Sequence, residues 1–234
     1  MNDRVSTRPA LRRRPSTPLA ELAYEAVAEA IFDGKLTPGE KLGIDSLAAE
    51  LQMSITPVRE ALSRLQAQRL ILSHQNRGFT VAAALTATEF HRLFQARRVL
   101  EHGGLDEALP PAGEWTPAPL DVAEAAERLR ATQAAGTGPG YHGFATFAWA
   151  DMRFHEHLVG LSGNIFLVDA WRGLNFHLHV SRLYGQSGVI DMDAAGAEHD
   201  EIFRALEHGD RPGFLAAVRG HIDRAETRLD VLVR

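Results

Sequence analysis

Between Leu19 and Ala84 the chain is punctuated so closely that few folds can accommodate it. Ala23, Val27, Ala30 and Ile31 recur at helical spacing, and Gly34 then stops the run. Leu36-Thr37-Pro38-Gly39 reads as a turn. A short helix follows through Leu47, Ala48 and Leu51, with Asp45 or Ser46 placed to cap it. After a brief turn at Gln52-Met53, Ser54 or Thr56 caps a third helix that tolerates Pro57 in its first turn. Val58, Leu62 and Leu65 supply its apolar stripe. Leu70-Ile71-Leu72 and Phe79-Thr80-Val81, separated by polar residues and Gly78, read as two short strands joined by a turn.

Three helices and a β-hairpin in that order make a winged helix-turn-helix, which offers the N-terminal residues of its third helix to the DNA major groove. With Val58, Leu62 and Leu65 turned inward, Thr56, Arg59, Ser63 and Arg64 lie on the other side. Arg59 is the foremost candidate for base readout, because a guanidinium pairs bidentately with guanine. Ser54, Thr56 and Arg64 suit phosphate contacts or capping. Arg77-Gly78 places a cation on the hairpin turn, suited to the minor groove or its backbone. The net charge of −5 hides an asymmetry: residues 1–85 hold eleven Lys/Arg against nine Asp/Glu, and the remainder fourteen against twenty-one. Residues 1–18 contribute five arginines without apolar periodicity and read as a flexible basic arm.

From Thr86 onward, helical patterns occupy residues 86–108, 119–134, 144–160, 164–184, 193–208 and 211–232. The fold class is therefore mainly α: a winged helix-turn-helix over 19–84, then an all-α bundle of about six helices over 86–234. There is no cysteine, which removes disulfides and thiolate sites and fits a reducing cytoplasm. No apolar run reaches the roughly 20 residues that span a bilayer, so no membrane partner is expected.

Within the bundle, Asp151 and His155 stand four apart, on one helix face. His199 precedes Asp210 by 11 residues and His221 follows it by 11. If Gly209-Asp210-Arg211-Pro212 turns an αα-hairpin, both histidines sit at one height, roughly 16 Å from the turn at 1.5 Å per residue. One acid and three imidazoles suit a divalent transition metal such as zinc, nickel or manganese. Glu156 and Glu198 adjoin these ligands in sequence and are expected to point away from the ligand face, which leaves no general base and disfavours a metal-dependent enzyme carrying an accessory DNA-binding domain.

The segment Ile31 to Leu42, Leu47-Ala48, and Ser54-Ile55-Thr56-Pro57-Val58-Arg59-Glu60-Ala61-Leu62 resembles the GntR family of bacterial regulators. Ile55 departs from that pattern, which often has Arg there, and one phosphate or base contact goes with it. Arg97 with Glu101, Asp151-Met152-Arg153-Phe154-His155, Gly163-Asn164, His199 and His221 resemble the FCD effector domain of the FadR-type branch. The resemblance implies metal binding by Asp151, His155, His199 and His221. It also implies a small carboxylate effector held by the metal and a nearby arginine, Arg97 or alternatively Arg98. Asn175, His177, His179 and Arg182 share a helical segment that could line the same pocket.

The expected function is an effector-responsive transcription regulator, a repressor or activator, binding a short palindromic double-stranded operator as a homodimer. A regulator that senses the metal itself is the other reading. Arg59→Ala is expected to weaken specific operator binding by about 1–3 kcal/mol and to relax discrimination at one base pair. Gel-shift titrations against the operator and its single-base variants check this; unchanged discrimination would remove Arg59 from base readout.

Overall fold

A computed structural model describes residues 18–75, 78–185 and 188–233. The N-terminal arm through residue 17 and Arg77 lie outside the described residues. The first domain comprises α1 (Pro18–Phe32), β1 (Lys41–Leu42), α2 (Ile44–Glu50), α3 (Ile55–Ala67), β2 (Ile71–His74) and β3 (Gly78–Val81). Its core joins Tyr24, Val27 and Ile31 of α1 to Val58, Leu62 and Leu65 of α3, with Leu70, Ile71 and Val81 closing it below. The hairpin gains a third strand that its sequence does not announce. Lys41 and Leu42 pair antiparallel with Thr80 and Phe79, giving the order β1-β3-β2. Gly39, at φ +82°, makes the turn that delivers this strand, and its N–H bonds to the Val81 carbonyl. α2 starts at Ile44 behind Gly43 rather than behind a side-chain cap, so Asp45 falls in the first turn, where a carboxylate favours the helix dipole.

Arg64 departs from its expected role. Its guanidinium reaches back to Glu21 of α1 at 2.5 Å and lies 4.2 Å above the Tyr24 ring. The Tyr24 hydroxyl in turn donates to Gln68 at 2.8 Å. An ion pair and a cation–π contact thus fasten α3 to α1 and draw this cation away from the outer face.

Thr86 and Glu89 form a reciprocal capping box that starts the second domain. α4 (Ala87–Arg97) continues through a π-helical turn at Arg98–Gly103 into α5 (Gly104–Ala108). Then come α6 (Pro119–Gln133), α7 (Tyr141–Gly160), α8 (Ile165–Gly173), α9 (Phe176–Tyr184), α10 (Met192–Glu207) and α11 (Arg211–Leu229). The single helix expected over 164–184 is broken. Asn175 adopts a left-handed conformation, φ +48°, so α8 and α9 are separate rods. α10 and α11 form the expected hairpin, with Asp210 accepting from the Gly213 N–H at 3.0 Å. No helix among the described residues is long and apolar enough to cross a membrane.

The two domains meet on α7 and α9. Phe32 stacks on Tyr141 with ring centroids 5.1 Å apart, and the Asp33 carboxylate accepts the Tyr141 backbone N–H at 2.7 Å. Arg182 donates to the carbonyls of Ala82 and Ala83 at 2.9 and 3.0 Å.

Arg64→Ala is expected to lower stability by about 1 kcal/mol or less, while leaving the salt dependence of operator affinity unchanged. Thermal melts and binding at several salt concentrations check this. A salt slope reduced by about 1 would return Arg64 to phosphate contact.

Candidate metal centre, ligand cavity and nucleic-acid face

α3 turns one face to the core and leaves Ser54, Ile55, Thr56, Arg59 and Ser63 exposed. Ser54 stands at the N-cap without a side-chain capping bond. Arg59 has no ion-pair partner among the described residues, so its guanidinium is free for an external acceptor. Ile55 adds an exposed apolar side chain beside it. Gly78, at φ +79°, opens β3 at the hairpin turn. Polar and cationic groups that the protein does not consume internally are what a DNA-contacting surface requires.

In the second domain, His155 from α7, His199 from α10 and His221 from α11 converge in the interior, each 3% exposed or less. Their candidate ligand atoms lie within 4.8 Å of one another. The His155 and His199 Nε2 atoms are 3.2 Å apart. Asp151 Oδ1 lies 3.4 Å from His199 Nε2 and 3.8 Å from His155 Nε2. The structure therefore brings together all four residues singled out from the sequence. Across the hairpin, the His199 and His221 rings are 4.7 Å apart.

Two of these imidazoles are oriented from behind. The His155 Nδ1 faces Glu101 at 2.5 Å and the His221 Nδ1 faces Glu198 at 2.9 Å. A carboxylate on Nδ1 selects the tautomer that leaves the Nε2 lone pair for a metal. Glu101 also accepts from Arg97 at 2.8 Å and from Trp171 at 3.2 Å. Glu198 accepts from Arg224 and Arg228 at 2.6 and 2.7 Å. Glu198, expected to point away from the ligand face, diverges from His199 but is buried against the ring of His221. α10 packs between neighbours on more than one side, so Glu198 faces α11 while His199 faces α7. Glu156 does lie outside, paired with Arg172.

The electrostatics follow from burial. It pushes the His199 imidazole well below its ordinary value and brings His221 down to about 3, so both are neutral at neutral pH. Burial works against the Glu101 carboxylate, but Arg97 and His155 overcome it and hold the group well below the usual range. Burial likewise opposes Glu198, which His221, Arg228 and Arg224 bring down to about 2. For Asp151 burial prevails and raises the pKa. Converging imidazole nitrogens, those of His199 and His221 on neutral rings, and a carboxylate are a donor set that fits a divalent transition metal.

A cavity opens beside this cluster, with about 440 Å³ of atom-free space including its mouth. Arg97, Asp151 and His221 line it, together with Phe147, Phe176 and Ser181. Arg97 is 2% exposed, and its Cζ lies 4.3 Å from the centroid of the Phe176 ring. Its Nε is bound to Glu101, but its Nη2 is buried with no hydrogen-bond partner. Of the other residues considered for a ligand, His177 lines this cavity, while Arg98, Asn175, His179 and Arg182 do not. One position along the helix, Arg98 points outward to Asp223, at 2.5 Å, and to Glu226. Asn175 occupies the break before α9 and bonds to the Gly173 carbonyl. Arg182 is committed to Ala82 and Ala83. Among residues the sequence did not bring forward, Trp171, Tyr184 and Asp191 complete the surroundings; Tyr184 donates to Asp191 at 3.2 Å. Glu101 was legible only as an i,i+4 partner of Arg97.

A model of the gntR family of bacterial regulatory proteins matches residues 19–81, and a model of the FCD domain matches residues 92–224. The chain is 25% identical to the HTH-type transcriptional regulator YdhC of Bacillus subtilis over 210 residues, which is 88% of this chain and 89% of that one. It is 31% identical over 112 residues to the HTH-type transcriptional repressor GlaR of Escherichia coli, covering 47% of this chain and 50% of the repressor. Its fold is that of a GntR transcriptional regulator from a Rhodococcus species, with a TM-score of 0.64 at 24% identity over 91% of this chain and 98% of that one. Both domains and the relatives are those of transcription regulators rather than enzymes. The chain belongs to the GntR family of transcriptional regulators and joins the family's DNA-binding domain to an FCD domain.

Proposed function

We propose that this regulator responds to a small carboxylate bound beside a divalent transition metal in its FCD domain. His155, His199, His221 and Asp151 hold the metal, which is zinc, nickel or manganese. The observation that carries the reading is the buried, unpartnered Arg97 Nη2 on the cavity wall shared with Asp151 and His221. A buried polar group left without a partner costs about 1–3 kcal/mol. A carboxylate oxygen is the acceptor that a guanidinium satisfies best. The metal, when bound, supplies a positive charge and an open position for another carboxylate oxygen. The unpaired guanidinium favours a carboxylate signal over a metal signal alone.

The regulator acts in the cytoplasm as a homodimer on a short palindrome, each copy placing Ser54, Thr56 and Arg59 in the major groove and the Arg77-Gly78 turn alongside. Likeness to the GlaR repressor supports repression. The carboxylate controls DNA binding only insofar as it binds the DNA-competent and incompetent arrangements with different affinity. The cavity walls on α7 and α9 are also the elements that touch the first domain, which supports a direct route.

Operator-binding assays with a panel of small carboxylic acids, with and without chelator, test the whole reading. A chelator-sensitive shift by an acid is expected; a response to metal with no acid dependence would make the metal the signal. His199→Ala is expected to lower the metal content of purified protein measured by mass spectrometry, and full stoichiometric metal would refute its role. Arg97→Gln is expected to retain metal while weakening carboxylate binding at least about 10-fold, the effect of a lost charged hydrogen bond. Equal loss of both would indicate a damaged fold instead.

A further inference from the structure

A second unpartnered atom belongs to a residue of the same cavity wall. His177 lines it from α9, and its Nε2 is buried without a hydrogen-bond partner. Its ring packs 4.9 Å from that of Trp149 on α7, which fixes the imidazole plane. Ser181, one helical turn later, lines the same wall. No carboxylate pairs with His177 among the described residues. Burial, with a smaller contribution from His179, brings its pKa down to about 4, so it is neutral at neutral pH. The cavity thus has an ionic end, at Arg97 and the histidine cluster, and a neutral polar wall on α9.

We propose that His177 is a specificity-determining residue that reads a hydroxyl group on the bound carboxylate, so that the ligand class is hydroxy acids. The inference rests on the carboxylate reading of Arg97. A hydroxyl both donates and accepts, and so satisfies Nε2 in either tautomer. A methylene in its place would leave the nitrogen buried and unpaired. A second carboxylate would call for an imidazolium, which burial opposes. Sites built around a hydrogen bond to a hydroxyl reject the analogue lacking it far more strongly than apolar pockets reject a methylene.

The test is calorimetric titration of the full chain equilibrated with zinc, using matched acids: propionate against lactate and 3-hydroxypropionate, and succinate against malate. At least one hydroxylated acid is expected to bind about 10-fold or more tightly than its parent. His177→Phe keeps a ring against Trp149 and is expected to bring that ratio close to one by weakening the hydroxylated acid alone. His177→Gln, which still donates and accepts, is expected to retain part of the preference. Thermal melts of both variants matching the wild type exclude a folding defect as the cause. A preference that survives in His177→Phe would mean the hydroxyl is read elsewhere, the metal included, and would overturn the assignment. Equal binding of every pair by the wild type would overturn this inference alone. Failure of all the acids to bind would overturn the carboxylate reading and this inference with it.

Discussion

The second domain is organised around one buried ion pair. Arg97 and Glu101 are 2% and 0% exposed, and removing two such charges from water costs several kcal/mol per ion unless each is otherwise satisfied. Glu101 meets that demand with Arg97 one turn earlier on its own helical run, and with His155 of α7 and Trp171 of α8. Satisfying this carboxylate therefore fixes where α7 and α8 lie against α4, and sets the tautomer of His155. The Arg97 Nη2 is buried without a partner, and Arg97 lines the cavity. Structural cohesion and the proposed ligand recognition rest on the same two side chains.

The second carboxylate, Glu198, does the same for the α10–α11 hairpin. It links His221 to Arg224 and Arg228, so the far side of the cluster is braced by charges reaching toward the surface. His199 lies between these two braced histidines, and its Nδ1 has no partner among the described residues. No carboxylate of the described residues backs His199 at Nδ1; its Nε2 meets His155 and Asp151, and the Phe154 ring packs 4.7 Å away.

The chain declared its first domain through punctuation. Gly34, Gly39 and Pro57 fix helix ends and turns locally, so their meaning survives without tertiary information. The convergence of Asp151, His155, His199 and His221 was legible for a related reason: spacings of four along a helix, and of 11 about a turn, become geometry once the helices exist. What escaped depends on partners distant in sequence. Lys41 and Leu42 form a strand only because β3 is there to pair with them. Arg64 looks like a free surface cation until Glu21, forty-three residues earlier, lies beside it. The break at Asn175 was hidden because apolar periodicity continues across it and a single left-handed residue leaves no mark on that pattern. The role of Glu198 was missed because neighbouring helix positions, about 100° apart, can each face a different packed helix, and here Glu198 meets α11.

That break at Asn175 gives α9 the character of a strut pinned at both ends. Asn175 at φ +48° and Gly185 at φ +42° each end its hydrogen-bond ladder, so the rod shares none of its helical bonds with α8 or α10. Along nine residues it carries Phe176 under the Arg97 guanidinium at one end and Arg182 on the Ala82 and Ala83 carbonyls near the other. One short rod thus joins the Arg97 side of the cavity to the backbone that leaves the DNA-binding domain, and no other helix lies between these two contacts.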